Sequence, residues 1–332
     1  MFRPVTPFCA TLIGLLAISR SAEAHREFGY NGAHGPSHWG DDYQTCIGKH
    51  QSPINIEEHD VRNASYSSLE FSGLDVPRTS QITNNGHTVM LVMNVSVPAR
   101  IFGGPLANGT YVFEQMHFHW GENDTEGSED LINNHSFAME LHAVFFKEDY
   151  RSMTDAIHHS DGLAVLAYFF EADDEPNLAY DQIVTILPRV EAVDSKDVFT
   201  DPLRLEDFLK PKDLNLQNYF TYSGSLTTPP CSEVVTWIDF KEPLRLSHKQ
   251  IAAFRGISSA EGQKLTHNFR PVQPLEDRIV YHNIPAYQMN PDNELQNHIS
   301  QHHRLEKIDH SGQNKISASV FLIFLALSIH LK

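Results

Sequence analysis

The chain has 332 residues, of which 41% are hydrophobic and 20% charged, and its formal net charge is −17. This acidic balance excludes an electrostatic attraction to nucleic acid or to an anionic lipid surface, while the hydrophobic content is ample for a packed core. No internal repeat and no domain-like change of composition divides the chain, so we predict one principal domain.

The first 24 residues have the pattern of a secretory signal peptide. Arg3 precedes an apolar run at 8–18, and Ala22-Glu23-Ala24 forms an A-x-A cleavage pattern. We therefore predict a signal peptide at 1–24 and a main domain at 25–285. The product would be secreted or displayed outside the cell.

Removal of the signal peptide takes Cys9 away and leaves Cys46 and Cys231. An even pair in an oxidising compartment predicts a disulfide, and the alternative is two unrelated buried thiols. Passage through the secretory pathway also agrees with five Asn-x-Ser/Thr glycosylation sequons, at Asn63, Asn94, Asn108, Asn123 and Asn134. Asn94 is the weakest of the five because it lies within an apolar alternating run.

Residues 25–49 are rich in glycine and histidine and predict an irregular arm anchored by Trp39 and Tyr43. Short β-type runs, separated by Gly, Pro and Asn, follow at 69–71, 87–97, 111–118, 137–146, 163–171, 218–224 and 233–240. Helical patterns are fewer and lie at 177–190 and 247–254, with Ser247 as a predicted N-cap. These patterns indicate a sheet protein with peripheral helices.

The C-terminal part changes character after residue 285. Residues 286–311 are polar and contain four histidines, which predicts a solvated stalk, with adventitious metal binding as the alternative. An apolar run at 316–331 follows and is shorter than the roughly 20 residues that span a bilayer comfortably. We predict a lipid-anchor signal at 312–332 with Ser311 at the attachment site, and a short transmembrane anchor is the alternative.

A metal site is predicted by the run Glu114-Gln115-Met116-His117-Phe118-His119-Trp120-Gly121. Side chains alternate along a strand, so His117 and His119 share one face. His142 lies in the apolar run at 137–146, which reads as a neighbouring strand able to bring a third imidazole to the same point. Three imidazoles and one open position are typical of catalytic Zn²⁺, whereas an isolated His-x-His pair is often only a polar sheet face.

Gln115 and Glu140 strengthen the prediction of a zinc site. Each precedes a proposed ligand by two residues on the same strand face, where it is able to bond the ring nitrogen that faces away from the metal. A chance His-x-His pair would not bring both orienting groups.

Several separated motifs identify a resemblance, which runs from about residue 28 to about residue 285. The chain resembles the α-class carbonic anhydrases in the segments Gly35-Pro36-Ser37-His38-Trp39, Gln51-Ser52-Pro53-Ile54-Asn55-Ile56, Asn84-Asn85-Gly86-His87, His117-Phe118-His119-Trp120-Gly121, Gly127-Ser128-Glu129, Gly224-Ser225-Leu226-Thr227-Thr228-Pro229-Pro230 and Asn268-Phe269-Arg270-Pro271. The resemblance implies an α+β fold: one domain on a large, twisted, mostly antiparallel sheet of about ten strands with peripheral helices. Zinc would lie at the base of a conical cleft, and Cys46 would pair with Cys231 as in extracellular members.

The resemblance also implies the reaction, which is the reversible hydration of CO₂ to bicarbonate and a proton. Zinc lowers the pKa of bound water to about 7, for which carbonic anhydrase is itself the standard example, so that hydroxide is available to attack CO₂. Thr227 and Glu129 would orient this nucleophile, and Thr228 would contact bicarbonate. From the residues alone, Thr227 reads as an ordinary turn residue before two prolines.

Further roles follow from the same resemblance. His87 matches the proton shuttle, Tyr30 the tyrosine that orders the connecting waters, and Asn268 a residue that supports the ligands. An apolar wall for CO₂ would be formed by Val144, Val165, Leu226, Val235 and Trp237. The residues alone leave non-catalytic alternatives open. His87 follows a turn signature and could be a surface turn histidine, and the five apolar residues could be ordinary core residues.

Two positions depart from the family pattern. Asp130 stands where most members carry histidine, which leaves the packing behind Glu129 open, and Met90 stands where many have a polar cleft residue. Neither departure removes a proposed ligand. The predicted function is a zinc carbonic anhydrase at the cell surface; the alternatives are a carbonic-anhydrase-like binding or adhesion module without activity, and hydrolysis of esters as a side activity.

Overall fold

A computed structural model describes residues 28–94 and 97–284. The strands in these ranges are β1 Asn55–Ile56, β2 Arg62–Ala64, β3 Leu69–Ser72, β4 Ser80–Asn84, β5 Val89–Met93, β6 Arg100–Gly103, β7 Thr110–Trp120, β8 Leu131–Ile132, β9 Met139–Lys147, β10 Leu163–Asp173, β11 Lys196–Val198, β12 Tyr219–Gly224, β13 Val235–Ser247 and β14 Tyr281–Asn283. The predicted signal peptide at 1–24, the stalk at 286–311 and the anchor segment with Ser311 lie outside the described residues.

Among the described residues, 12 strands form one mixed sheet, with β7, β9, β10 and β13 side by side at its centre. Most neighbours are antiparallel, while β10 pairs with β13 and β14 pairs with β2 in parallel. Strands β3 and β6 join the sheet through β7, and β1 and β8 form a separate parallel pair. The expected α+β fold on a large, mostly antiparallel sheet is confirmed, with more short strands than sequence patterns indicated.

The central strands are long because their side chains are buried on both faces. One face packs against a large core that includes Phe118, Leu141 and Ile238. The other face packs against a smaller core that includes Phe169, Phe220 and Trp237. A polar group at the centre of this sheet is therefore shielded from water and needs partners within the protein.

The helices are short and peripheral. The α-helices are α1 Trp39–Asp42, α2 Met153–Ala156, α3 Asp181–Ile186, α4 Glu206–Leu209 and α5 His248–Phe254; the 3₁₀ helices are Gly32–His34, Pro36–His38, Gln44–Ile47, Gly104–Leu106, Glu148–Tyr150, Leu178–Tyr180 and Leu187–Val190. The helical pattern predicted at 177–190 is a 3₁₀, α, 3₁₀ succession. Ser247 caps α5 in a capping box with Gln250, as predicted.

Two predicted strand boundaries were wrong. The run predicted from residue 87 starts as a strand only at Val89, because the side chain of Asn85 accepts the backbone N–H groups of His87 and Thr88 and holds them in a turn. Strand β13 continues seven residues past Phe240, to Ser247, beyond an irregularity at Pro243, where its pairing with β10 shifts. The described residues contain no helix that is long and apolar enough to cross a membrane.

Candidate metal centre

Three imidazoles converge on the central sheet, as the strand pattern predicts. His117 and His119 lie on one face of β7, and His142 on β9 is the direct cross-strand partner of His117. The ring centroids are 5.1 Å apart for His117 and His119, 5.3 Å for His117 and His142, and 4.6 Å for His119 and His142. One nitrogen of each ring lies within 4.8 Å of the others, a spacing that suits one shared metal ion.

Each imidazole is oriented by a hydrogen bond on its outer nitrogen. The three bonds join His117 Nδ1 to Gln115 Oε1 at 2.9 Å, His119 Nδ1 to the Asn268 carbonyl at 2.7 Å, and His142 Nε2 to Glu140 Oε1 at 2.6 Å. The other nitrogen of each ring faces the other two rings and is therefore available to bind the metal. His119 Nε2 is buried with no hydrogen-bond partner among the described residues, which fits a metal ligand.

Burial keeps these rings in the form that a metal requires. It lowers the pKa of His117 and His119 well below the usual value, and the neighbouring rings lower it further. Burial also lowers the pKa of His142 to about 3. Neutral imidazoles with free lone pairs are the ligands of catalytic zinc, so the residues present fit Zn²⁺.

Glu129 lies directly beside this point. Its carboxylate is fully buried, with Oε2 at 3.3 Å from His119 Nε2 and 3.9 Å from His142 Nδ1. Its Oε1 accepts the backbone N–H of Arg270 at 2.8 Å, and the Thr227 hydroxyl donates to the same carboxylate. Burial raises the pKa of Glu129 well above its usual value, while both hydrogen bonds oppose that rise.

The loop that carries Thr227 is stabilised by two backbone hydrogen bonds. Cys231 donates its N–H to the Thr228 carbonyl at 2.8 Å, and Leu226 donates to Ser232 at 3.0 Å. Cys231 is bonded to Cys46 in a disulfide, which joins this loop to the N-terminal arm. The predicted disulfide is therefore present in the structure.

Known proteins match this arrangement over most of the chain. The family model described as eukaryotic-type carbonic anhydrase matches residues 34–284. Human carbonic anhydrase 7 is 38% identical over 265 residues, covering 77% of this chain and 97% of the relative. Human carbonic anhydrase 6 is 34% identical over 305 residues, covering 90% and 95%, and pig carbonic anhydrase 3 is 33% identical over 262 residues, covering 77% and 97%.

The chain belongs to the carbonic anhydrase family. It is a zinc-dependent enzyme, and His117, His119 and His142 form the group that holds the metal. The family acts on CO₂ and bicarbonate, so its substrate is a small molecule.

The predicted apolar wall of this carbonic anhydrase lies beside the ligands. Val165 on β10 is the cross-strand neighbour of both Val144 and Trp237, and the Trp237 ring is 4.8 Å from the His142 ring. Leu226 and Val235 belong to the same cluster, in which Leu226 is the more exposed. The structure brings these residues together, and most of their surface is also core.

His87 and Tyr30 line one pocket. The His87 ring is half-buried and stacks on Phe28, with centroids 3.8 Å apart and planes 11° apart. Tyr30 is buried, and burial together with the charge of Glu129 raises its pKa well above the usual value. Thr228 is partly exposed in the loop after Thr227, and its carbonyl is used within that loop.

Asp130, one of the two departures from the family pattern, is hydrogen-bonded within the protein. Its carboxylate is fully buried and accepts the Ile54 N–H at 2.7 Å and the Tyr222 hydroxyl at 3.0 Å. Both Glu129 and Asp130 donate their backbone N–H groups to Glu140. The packing behind Glu129 is therefore hydrogen-bonded, and Met90 lies partly exposed opposite His117 in the ladder between β5 and β7.

The resemblance gave Asn268 a role in supporting the ligands, whereas the contact of Arg270 with Glu129 was not predicted. Asn268 bonds His119 through its carbonyl and Trp120 through its side chain, and it also donates to the His87 carbonyl at 3.1 Å. Arg270 fixes Glu129 through its backbone. The only available signal was the motif match, because no local spacing links these residues to the ligands.

The predicted sequons are exposed. Asn63, Asn94, Asn108, Asn123 and Asn134 all lie at the surface. Asn94 follows directly after the end of β5, which removes the objection that it lies inside an apolar strand. Two of these side-chain nitrogens donate to a carboxylate: that of Asn134 to Glu57 at 2.8 Å and that of Asn123 to Glu126 at 3.2 Å.

Proposed function

We propose that this protein catalyses the reversible hydration of CO₂ to bicarbonate on the extracellular face of the cell, attached by a C-terminal anchor. The observation that carries the catalytic part is the placement of Glu129 beside three converging imidazoles, with the Thr227 hydroxyl donating to it. An inactive binding module would have no use for this pair.

Zinc, when bound, supplies Lewis-acid chemistry that makes hydroxide available near neutral pH. The Thr227 proton is directed at Glu129, so the Thr227 oxygen is free to accept a hydrogen bond from the attacking hydroxyl group. This contact turns the lone pair of the attacking oxygen towards carbon. Glu129 is fixed in turn by the backbone N–H of Arg270.

The remaining cleft residues have separate tasks. Val144, Val165, Leu226, Val235 and Trp237 offer an apolar surface to CO₂, which has no charge, and Thr228 contacts bicarbonate. Each turnover releases a proton that needs an acceptor with a pKa near 7, and His87 is the suitable side chain. Tyr30 stays un-ionised because its pKa is raised, so it acts as a hydrogen-bonding group for water in the cleft.

The extracellular location rests on agreement between independent features. A disulfide joins Cys46 to Cys231, the five sequons are exposed, and the first 24 residues have a signal-peptide pattern. The apolar run at 316–331 favours a lipid anchor over a span. Treatment of intact cells with phosphatidylinositol-specific phospholipase should release the protein, and retention with that segment still present would contradict the lipid anchor.

Zinc content and CO₂ hydration should be measured together on the purified protein and on Thr227→Val. The valine keeps the shape of threonine but removes the hydroxyl that links the nucleophile to Glu129. We expect zinc to stay at one ion per chain and hydration to fall about 100-fold. Zinc-loaded wild-type protein without hydration would instead support a binding module, and an unchanged rate in the variant would remove Thr227 from the mechanism.

A further inference from the structure

A second histidine borders the pocket that contains His87. The pocket has a cavity volume of about 20 Å³, opens to solvent and is formed by the segments around Phe28, His87 and His267. His267 is half-buried, and its ring lies 5.9 Å from that of Phe269. A cavity needs roughly 10–15 Å³ on this measure to hold a water molecule, so the pocket that both imidazoles line has room for about one water.

Both histidines are carried on one rigid frame. The Asn268 side chain donates to the His87 carbonyl at 3.1 Å, and Ala260 donates its N–H to the Gly86 carbonyl at 2.9 Å. Gly86 has a φ of +86°, and a Cβ there would meet the Ala260 Cβ at 2.9 Å. The segment that carries His87 is therefore in direct contact with the segment that contains Ala260. The distance from His87 to the segment of His267 is therefore fixed.

The other ionisable groups around the pocket do not suit proton transfer at neutral pH. Tyr30 is held un-ionised by burial, and Lys264 is occupied by Glu191 and by the Gly256 carbonyl. Glu261 is an exposed carboxylate that reaches the backbone at Gly29, at the edge of the pocket. His87 and His267 are the two imidazole side chains that line this pocket, and imidazole is the side-chain type best suited to proton transfer near neutral pH.

One side of His87 is closed to buffer. Phe28 covers one face of its ring at a centroid distance of 3.8 Å. His87 and His267 line the same pocket, so water in that pocket offers a route for a proton that leaves a His87 nitrogen.

We propose that His267 is a second proton-relay residue, which takes the proton from His87 through water in the pocket and passes it to buffer. One proton moves from a His87 nitrogen to water while that water gives a proton to the lone pair of His267. His87 is neutral again for the next turnover. This inference rests on the role proposed for His87, and it places the two histidines in series.

Four proteins test the relay: wild type, His87→Ala, His267→Ala and the double variant. Maximal CO₂ hydration is measured in dilute and in concentrated imidazole buffer, and exchange of ¹⁸O between CO₂ and bicarbonate reports the step that needs no proton release. We expect His267→Ala to lower turnover about threefold in dilute buffer, with recovery in imidazole and unchanged isotope exchange. In the His87→Ala background the second substitution should have no further effect, because the groups act in series.

Two controls separate proton transfer from structure. His267→Gln keeps a hydrogen-bonding side chain that does not titrate, and it should lose as much turnover as His267→Ala while zinc content and melting temperature stay unchanged. His59→Ala removes a histidine that is 74% exposed and lies outside the pocket, and it should not change turnover.

The outcomes distinguish this inference from the function on which it rests. Lower turnover in His87→Ala with full turnover in both His267 variants would overturn the relay and leave the role of His87 intact. Additive losses in the double variant would overturn a series arrangement. Unchanged turnover in all variants would overturn both roles, and a loss that imidazole does not restore would assign His267 a structural role instead.

Discussion

Two histidine–carboxylate pairs in this protein have nearly the same geometry and opposite chemistry. His142 Nε2 lies 2.6 Å from Glu140 Oε1, and His248 Nδ1 lies 2.5 Å from Asp124 Oδ2. The side chains of the first pair are 1% and 0% exposed, whereas those of the second are 58% and 23% exposed. Burial is the main difference between the two pairs.

Burial reverses the direction of the pKa shifts. At the centre of the sheet it lowers the pKa of His142 to about 3 and raises that of Glu140 to about 8, against two backbone N–H donors. At the surface, Asp124 raises the pKa of His248, and His248 and Arg255 lower the pKa of Asp124. The surface contact is an ion pair, while the buried contact keeps an imidazole neutral and aimed at a metal.

His142→Ala breaks the buried pair most severely. It removes one of three metal ligands and leaves Glu140 without its imidazole partner, so zinc should be lost and hydration should fall by more than about 100-fold, the upper end of the loss when only an outer partner is removed. Metal analysis and stopped-flow hydration measure both quantities. Full zinc and full activity in this variant would end the site assignment.

Glu140→Gln keeps the size of the side chain but replaces one carboxyl oxygen with an amide nitrogen. The amide is able to accept one hydrogen bond from His142 but loses the second carboxylate oxygen, which accepts from Glu129 and Asp130. Zinc affinity should fall roughly 10- to 100-fold, as is usual when the partner of a ligating histidine changes. Competition with a chelator measures this affinity, and an unchanged value would show that the buried pair is not needed for metal retention.

Asp239→Val extends the comparison of the two pairs to a buried carboxyl group that has no hydrogen-bond partner among the described residues. Asp239 on β13 is fully buried, faces Ala167 and Phe220 in the ladders, and has no hydrogen bond to either carboxyl oxygen among the described residues. Replacing it with an apolar, β-branched residue should raise the free energy of unfolding by about 1–4 kcal/mol near neutral pH. A destabilised variant would mean that Asp239 has a partner outside the described set.

The pH dependence of this effect has a defined sign. Burial, and then the charge of Asp130, raise the pKa of Asp239 well above its usual value, so folding favours the protonated form. The contribution of protonated Asp239 to the free energy of unfolding is fully present below the pKa of about 3.9 that aspartate has in the unfolded chain. It is lost as pH rises through the pKa of Asp239 in the folded protein. The stability difference between Asp239→Val and wild type should therefore grow with pH, as denaturant unfolding of zinc-loaded protein would measure.

His248→Ala should have the smallest effect. The folded pKa of His248 is raised, so its contribution is present below its unfolded pKa of about 6.5 and is lost as pH rises through the folded value. The melting temperature should fall slightly at pH 5.5, less in high salt and not at pH 9, with hydration and zinc content unchanged. A loss of zinc would contradict the separation between the two pairs.

The sequence alone determined the parts of the site that depend on strand periodicity. Alternation places His117 and His119 on one face, and the same period puts Gln115 and Glu140 two residues from the histidines that they orient. These relations span two residues each and need no tertiary information. Motif matching then supplied the residues that are distant along the chain.

The tertiary structure determined the contacts between residues that are distant along the chain, and the burial of each side chain. The carbonyl that orients His119 belongs to Asn268, 149 residues away, and the pocket next to His87 is closed by a segment that carries His267. Whether a histidine beside a carboxylate becomes a neutral ligand or a charged surface group depends on burial, as His142 and His248 show. Burial depends on how the strands pack, because solvent exclusion is a property of the assembled sheet and not of any segment by itself.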